Sequence, residues 1–108
     1  MRLRKELDEI QEKEILLIAR ISDALAHPAR IKIFRYIMSE NRQFHKVCNK
    51  DMVEHFDYAQ ATISQHVKKL VEAGLLETKK EDRYTYYYVH LGTLNDYLKA
   101  TKKFQNME

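Results

Sequence analysis

The chain contains no tryptophan, one cysteine, one proline and two glycines in 108 residues. A single thiol excludes an internal disulfide framework of the kind that staples small secreted domains. So little Gly and Pro leaves no material for long loops or flexible linkers. Long apolar runs are also missing. The longest, Ile15 to Ala19, falls far short of the roughly 20 residues that span a bilayer. The first ten residues, MRLRKELDEI, are charged and lack the apolar stretch of a secretory leader, so the expected location is cytoplasmic. Catalytic signatures are absent too. There is no Gly-rich phosphate loop, no Gly-x-Ser-x-Gly, no His-Glu-x-x-His and no pair of carboxylates in an apolar setting, and an enzyme is not expected.

What the chain does have is 44% hydrophobic and 32% charged residues, the balance of one soluble domain with a modest core. Nineteen cations against sixteen acids leave a net charge of +3. Between residues 58 and 90 the cations Lys68, Lys69, Lys79, Lys80 and Arg83 oppose Glu72, Glu77, Glu81 and Asp82. An anionic partner must therefore be recognised by where the cations sit, not by their number.

Residues 58–76 read YAQATISQHVKKLVEAGLL. Ile63, Val67, Leu70 and Val71 recur at helical spacing and form one apolar stripe that packs inward. Ala61, Ser64, Gln65 and Lys68 lie on another side, which offers short hydrogen-bonding groups and a cation but nothing bulky. Such a face fits against base edges in a DNA major groove. Gly74 stops this helix, predicted over residues 60–73. The strands Leu75 to Thr78 and Tyr84 to Val89 then form a hairpin with a charged tip, Lys79 to Arg83. In the second strand Tyr84, Tyr86 and Tyr88 share one face; Thr85, Tyr87 and Val89 share the other.

Upstream, Leu3, Leu7, Ile10, Leu17, Ile21 and Leu25 predict a first helix over residues 3–26, its apolar stripe interrupted by Glu14. Pro28 restarts the chain into a second helix that ends near residues 39–41. Val47-Cys48 is long enough only for a bridging strand. Asn49 is the expected cap of a short third helix carrying Met52, Val53 and Phe56. A last helix runs from Thr93 to about Gln105, with Leu94, Tyr97, Leu98, Thr101 and Phe104 on one side. The order α-α-α-α-β-β-α is mainly α (α+β) and spells a winged helix-turn-helix. The whole chain, 1–108, is one DNA-binding domain on this reading. Its terminal helices, 1–26 and 93–108, pair with those of a second copy and set two reading helices about one DNA turn apart.

Residues 24–37 read ALAHPARIKIFRYI, residues 46–56 KVCNKDMVEHF, and residues 61–89 ATISQHVKKLVEAGLLETKKEDRYTYYYV. These three segments resemble the second helix, the metal-sensing region, and the recognition helix with wing of the ArsR-type winged-helix transcriptional repressors of bacteria and archaea. The resemblance covers most of residues 24–91. It implies a homodimer that represses its own operon from an imperfect inverted repeat and is released by a metal ion or an oxidant. The chain departs from that pattern in three places. A known sensor site has Cys-x-Cys-Asp where this chain has Cys48-Asn49-Lys50-Asp51, and one thiolate beside a cation is a poor soft-metal site. A second known site needs Asp-x-His on the last helix. Here Asp96 is followed two residues on by Leu98, and no His lies beyond His90. The usual Ser cap of the recognition helix is replaced by Ala59, with Asp57 as the alternative cap.

Candidate contacts to double-stranded DNA are therefore Gln60, Ala61, Thr62, Ser64, Gln65, His66, Lys68, Lys69, Arg83 and Tyr84. Gln65 and Ser64 are assigned to bases and Lys68 to a phosphate. Gln60 and Thr62 sit at the exposed helix start, which favours an anion. Arg83 is assigned to the DNA backbone or the minor groove. His66 either touches phosphate or packs beneath the wing. His27 begins the second helix and His90 ends the wing. No metal site and no cofactor are expected, although His45 with Cys48 or His55 is a non-standard zinc alternative. Cys48 reads as a small buried hydrophobe, with thiol-based redox sensing as the alternative. A winged-helix module that binds protein instead of DNA is the rival class. No membrane is involved, and a small effector cannot be named.

Overall fold

Pro28 and Gly74, two of the three residues able to break a helix in this sequence, stand at the two breaks that shape the fold. In the computed structural model, which describes residues 9–106, the chain forms α1 (Glu12–Ala24), α2 (Pro28–Arg42), α3 (Asn49–His55) and α4 (Gln60–Glu72). The strands β1 (Leu76–Glu81) and β2 (Tyr84–Val89) follow, then α5 (Leu91–Lys102) and a closing 3₁₀ turn (Lys103–Asn106). This is the winged-helix order expected from the sequence.

The apolar stripes meet in one core. Ile21 of α1, Ile33 and Ile37 of α2, Met52 of α3, Ile63, Val67 and Leu70 of α4, and Leu75 just ahead of the wing are essentially inaccessible to solvent. Burying each of these large side chains stabilises the fold by about 1.5–3 kcal/mol. α2 packs against α4 and β2, α3 against α4, and α1 against α5. The terminal helices thus lie together, and Ser22 Oγ meets Tyr97 OH at 3.1 Å across them.

Gly74 has φ +87°, a left-handed conformation that costs a residue with a Cβ but not glycine. It lets the chain leave α4 and turn directly into the wing, with Leu75 N–H donating back to Leu70 O at 3.0 Å. The wing is an antiparallel pair in register from Leu76↔Val89 to Glu81↔Tyr84. Tyr87 points into the core, which settles which of the two strand faces is the inner one, and Val47 adds an isolated bridge beside it.

Several boundaries differ from the sequence expectations. α1 begins at Glu12, not at residue 3: residues 9–11 precede it, and Leu3 and Leu7 lie outside the described residues. The start is set by a reciprocal cap. Gln11 N–H donates to Glu14 Oε1 at 3.0 Å, and the Glu14 N–H donates to Gln11 O at 2.9 Å. Cys48, not Asn49, caps α3. Its N–H donates to Asp51 Oδ2 at 2.9 Å. The first wing strand is longer than expected, while the second has the expected bounds. Lys79, Lys80 and Glu81 belong to β1, because Tyr86, Thr85 and Tyr84 of β2 give them pairing partners. The tip is only Asp82-Arg83, with Asp82 at φ 56°. α5 starts at Leu91, two residues early, because His90 caps it: His90 Nδ1 accepts the Thr93 N–H at 3.0 Å.

Candidate nucleic-acid interface

α4 has one face sealed and one face open. Ile63, Val67 and Leu70 are buried, whereas Gln60, Ala61, Ser64, Gln65, Lys68 and Lys69 are exposed and Thr62 is half-exposed. The division follows from the 3.6-residue period of the helix. Ala61 has no side chain beyond Cβ, so a flat partner can approach the backbone there.

The start of α4 has no side-chain cap. Ala59 has no acceptor, and Asp57, the alternative weighed from the sequence, does not bond to the helix start. The first-turn N–H groups therefore keep their hydrogen-bonding capacity. α3 braces this end instead: Asn49 Nδ2 donates to Ser64 Oγ at 3.2 Å. Ser64 is thus both on the open face and tied to α3, and its hydroxyl proton remains free to donate. The far end of α4 is held from α1, where Arg20 Nε donates to Ala73 O at 3.0 Å. A cation at a helix C-terminus also complements the helix dipole. Nothing in the local pattern of residues 60–73 pointed to Arg20 or Asn49, because both reach α4 from elsewhere in the chain.

His66 is half-exposed. Its ring sits 4.7 Å from the ring of His27, which itself caps α2 by accepting the Ala29 N–H at 3.3 Å. Burial lowers the His66 pKa below the usual imidazole value, and His27 and Arg30 lower it further.

On the wing, Arg83 and Tyr84 are exposed at the tip and the following residue, and the Tyr84 and Tyr86 rings lie 6.2 Å apart. One wing acid, Glu81, is already paired, while Asp82 at the tip is exposed. Lys46 Nζ contacts Glu81 Oε2 at 2.7 Å and also lies 5.3 Å from the centre of the Tyr86 ring. The bond to Lys46 holds the Glu81 carboxyl below its ordinary pKa. Lys46 was not singled out in the sequence, because its partner is 35 residues away.

Cys48 is buried and occupied as the cap of α3. His45 Nδ1 turns to Glu40 at 3.5 Å, and the His55 ring stacks on Tyr36 at 4.2 Å. Among the described residues no three His, Cys, Asp or Glu side chains converge on a common point. No helix among the described residues is long and apolar enough to cross a membrane.

Residues 27–78 match the profile of a family described as "Bacterial regulatory protein, arsR family". The arsenical resistance operon repressor of Staphylococcus aureus is 35% identical over 51 residues, which cover 47% of this chain and 49% of that protein. The chain therefore spans about half the length of that relative. An HTH-type transcriptional regulator of Methanocaldococcus jannaschii is 30% identical over 71 residues, 66% of this chain and 75% of the relative. An ArsR-like transcriptional regulator from Rhodococcus sp. RHA1 superposes with a TM-score of 0.74 at 17% identity, covering 85% of this chain and 82% of the other.

Proposed function

The chain belongs to the ArsR family of bacterial regulatory proteins, a family of transcriptional regulators and not of enzymes, and on that footing we propose that it is a DNA-binding repressor acting as a homodimer on an inverted-repeat operator. The observation that carries this reading is the open polar face of α4, opposite a sealed apolar stripe and next to an exposed wing tip.

In this proposal Gln65 and Ser64 read base edges, and Ala61 allows the helix backbone to come close. Gln60, Thr62, Lys68 and Lys69 bind phosphate oxygens and set the register. Arg83 and Tyr84 contact the backbone or the minor groove from the wing. His66 has a smaller part, because its ring is turned toward His27. Dimerisation uses the terminal helices. Ile15 and Leu16 of α1, and Leu98 and Phe104 at the other end of the chain, remain about half exposed or more although α1 and α5 already pack together. Apolar area left over after the core is complete is what a second copy would cover. The name of the staphylococcal relative suggests an operon repressor. The inducer here would differ from a soft metal bound by several sulfurs, since Cys48 stands alone and inside the fold.

The test is selection of bound sequences from random duplex DNA, followed by titration of the selected duplex at several salt concentrations. The expected outcome is an inverted repeat whose affinity falls steeply as salt rises. A monomer that ignores duplex DNA in dilute salt would overturn the reading.

A further inference from the structure

Between the wing and the starts of α3 and α4 lies a half-open cleft of about 300 Å³, whose lining includes Lys50, Gln60, Arg83, Tyr84 and Thr85. Two cations line it and no carboxylate does. Of the neighbouring acids, Asp51 accepts the Cys48 N–H and Glu81 is paired with Lys46, while Asp82 beside Arg83 is exposed and outside the lining. Lys50 comes from α3 and Arg83 from the wing tip, so the cleft gathers positive charge from two elements that only the tertiary fold brings together. Gln60 adds an amide donor from the first position of α4. The volume is at the small end of ligand sites, which run from roughly 300 to 1,000 Å³. A tetrahedral anion fits such a space, and a concave site between low-dielectric walls strengthens its attraction to paired cations.

We propose that this cleft seats one backbone phosphate of the bound duplex, clamped between Lys50 and Arg83, so that Lys50 is a DNA contact from outside both the recognition helix and the wing. The inference rests on the DNA-binding reading and adds a site to it. A free phosphorylated small molecule has the same recognition chemistry, and the experiment separates the two sources.

The wild-type chain and the variants Lys50→Ala and Lys50→Arg are titrated with the selected duplex and with unrelated duplexes over a salt series. Lys50 is exposed, so the substitutions leave the fold in place, and far-UV circular dichroism verifies this. Lys50→Ala is expected to weaken every duplex by a similar factor and to reduce the slope of log K against log salt by about 0.9 per lost contact. Lys50→Arg is expected to restore both. An unchanged slope in Lys50→Ala, with wild-type binding intact, overturns the cleft assignment and leaves the repressor reading standing. Failure of the wild type to bind any duplex defeats the repressor reading first. In a parallel arm, inorganic phosphate is added to the wild type while the amide resonances of Gln60 and Thr85 are followed. Saturable shifts there in a protein that ignores duplex DNA overturn the backbone assignment in favour of a free phosphate ligand.

Discussion

Glu14 and Lys103, 89 positions apart, meet at 2.8 Å and join the first helix to the turn that closes the last. Both side chains are mostly covered, and Lys103 Nζ also donates to Glu9 O at 3.3 Å. The contact explains why an acid interrupts the apolar stripe of α1. The Glu14 carboxylate serves the cap of its own helix and a cation from the other end of the chain. Its pKa is lowered, first by the Gln11 N–H and then by Lys103.

A folded-state pKa below the unfolded value makes the ionised form the stabilising one. The contribution of Glu14 is complete above the ordinary value of 4.5 and is lost as pH falls through the lower folded value. Thermal melts between about pH 6 and pH 3 should show a decline that is shallower in Glu14→Gln than in the wild type. Parallel curves for the two proteins would mean that the pair contributes nothing.

Gln65→Ala should cost about 1–3 kcal/mol of affinity for the selected operator and relax the preference at one base position. Stability should not change, because Gln65 is exposed and no side-chain hydrogen bond engages it among the described residues. Competition binding with operators varied base by base is the measurement. Undiminished operator affinity removes Gln65 from the readout.

Gly74→Ala should destabilise the domain by about 1–2 kcal/mol through backbone strain alone. The space is open: a Cβ there would meet only the Thr93 side chain, at 3.8 Å or more. The φ of +87° is what an alanine resists. Denaturant unfolding should give a lower midpoint at an unchanged slope. Gly74→Asn should lose less, since asparagine tolerates the left-handed region better.

His66 is expected to make stability depend on pH below its ordinary value of 6.5. Burial is the main cause of its lowered pKa, followed by the charges of His27 and Arg30. The unfolded chain then takes up a proton before the folded one does. Stability is full above the ordinary value of 6.5 and falls as pH drops from there toward the lower folded value. Denaturation midpoints for the wild type and His66→Gln, compared from about pH 8 to pH 5, should converge on a flatter profile for the variant.

The open face of α4 and the stop at Gly74 were legible in residues 58–76, because both are local. A 3.6-residue period and a glycine need no distant partner to express themselves. The winged-helix order followed from the same local signals, and so did the two faces of β2, although which face is inward did not. The contacts assigned to Gln65, Lys68 and Arg83 rest on those signals and remain for experiment. Sequence reasoning faltered wherever one element is completed by another. It stopped β1 at Thr78, since Lys79, Lys80 and Glu81 look like a solvated turn until Tyr86, Thr85 and Tyr84 of β2 pair with them. It left His66 undecided until α2 supplied His27.

Taken alone, the order of residues determined which segments coil, which extend, where the chain turns and which faces must be hidden from water. Those properties arise from backbone preference and the spacing of apolar side chains, both set within a few positions. Only the tertiary structure decided that Lys46 would neutralise Glu81, that Asn49 would hold Ser64, that Arg20 would close α4, and that Lys50 and Arg83 would line one cleft. A hydrogen bond or an ion pair acts over a few ångströms of space whatever the separation along the chain. Packing the buried stripes together is what brings such distant groups within reach.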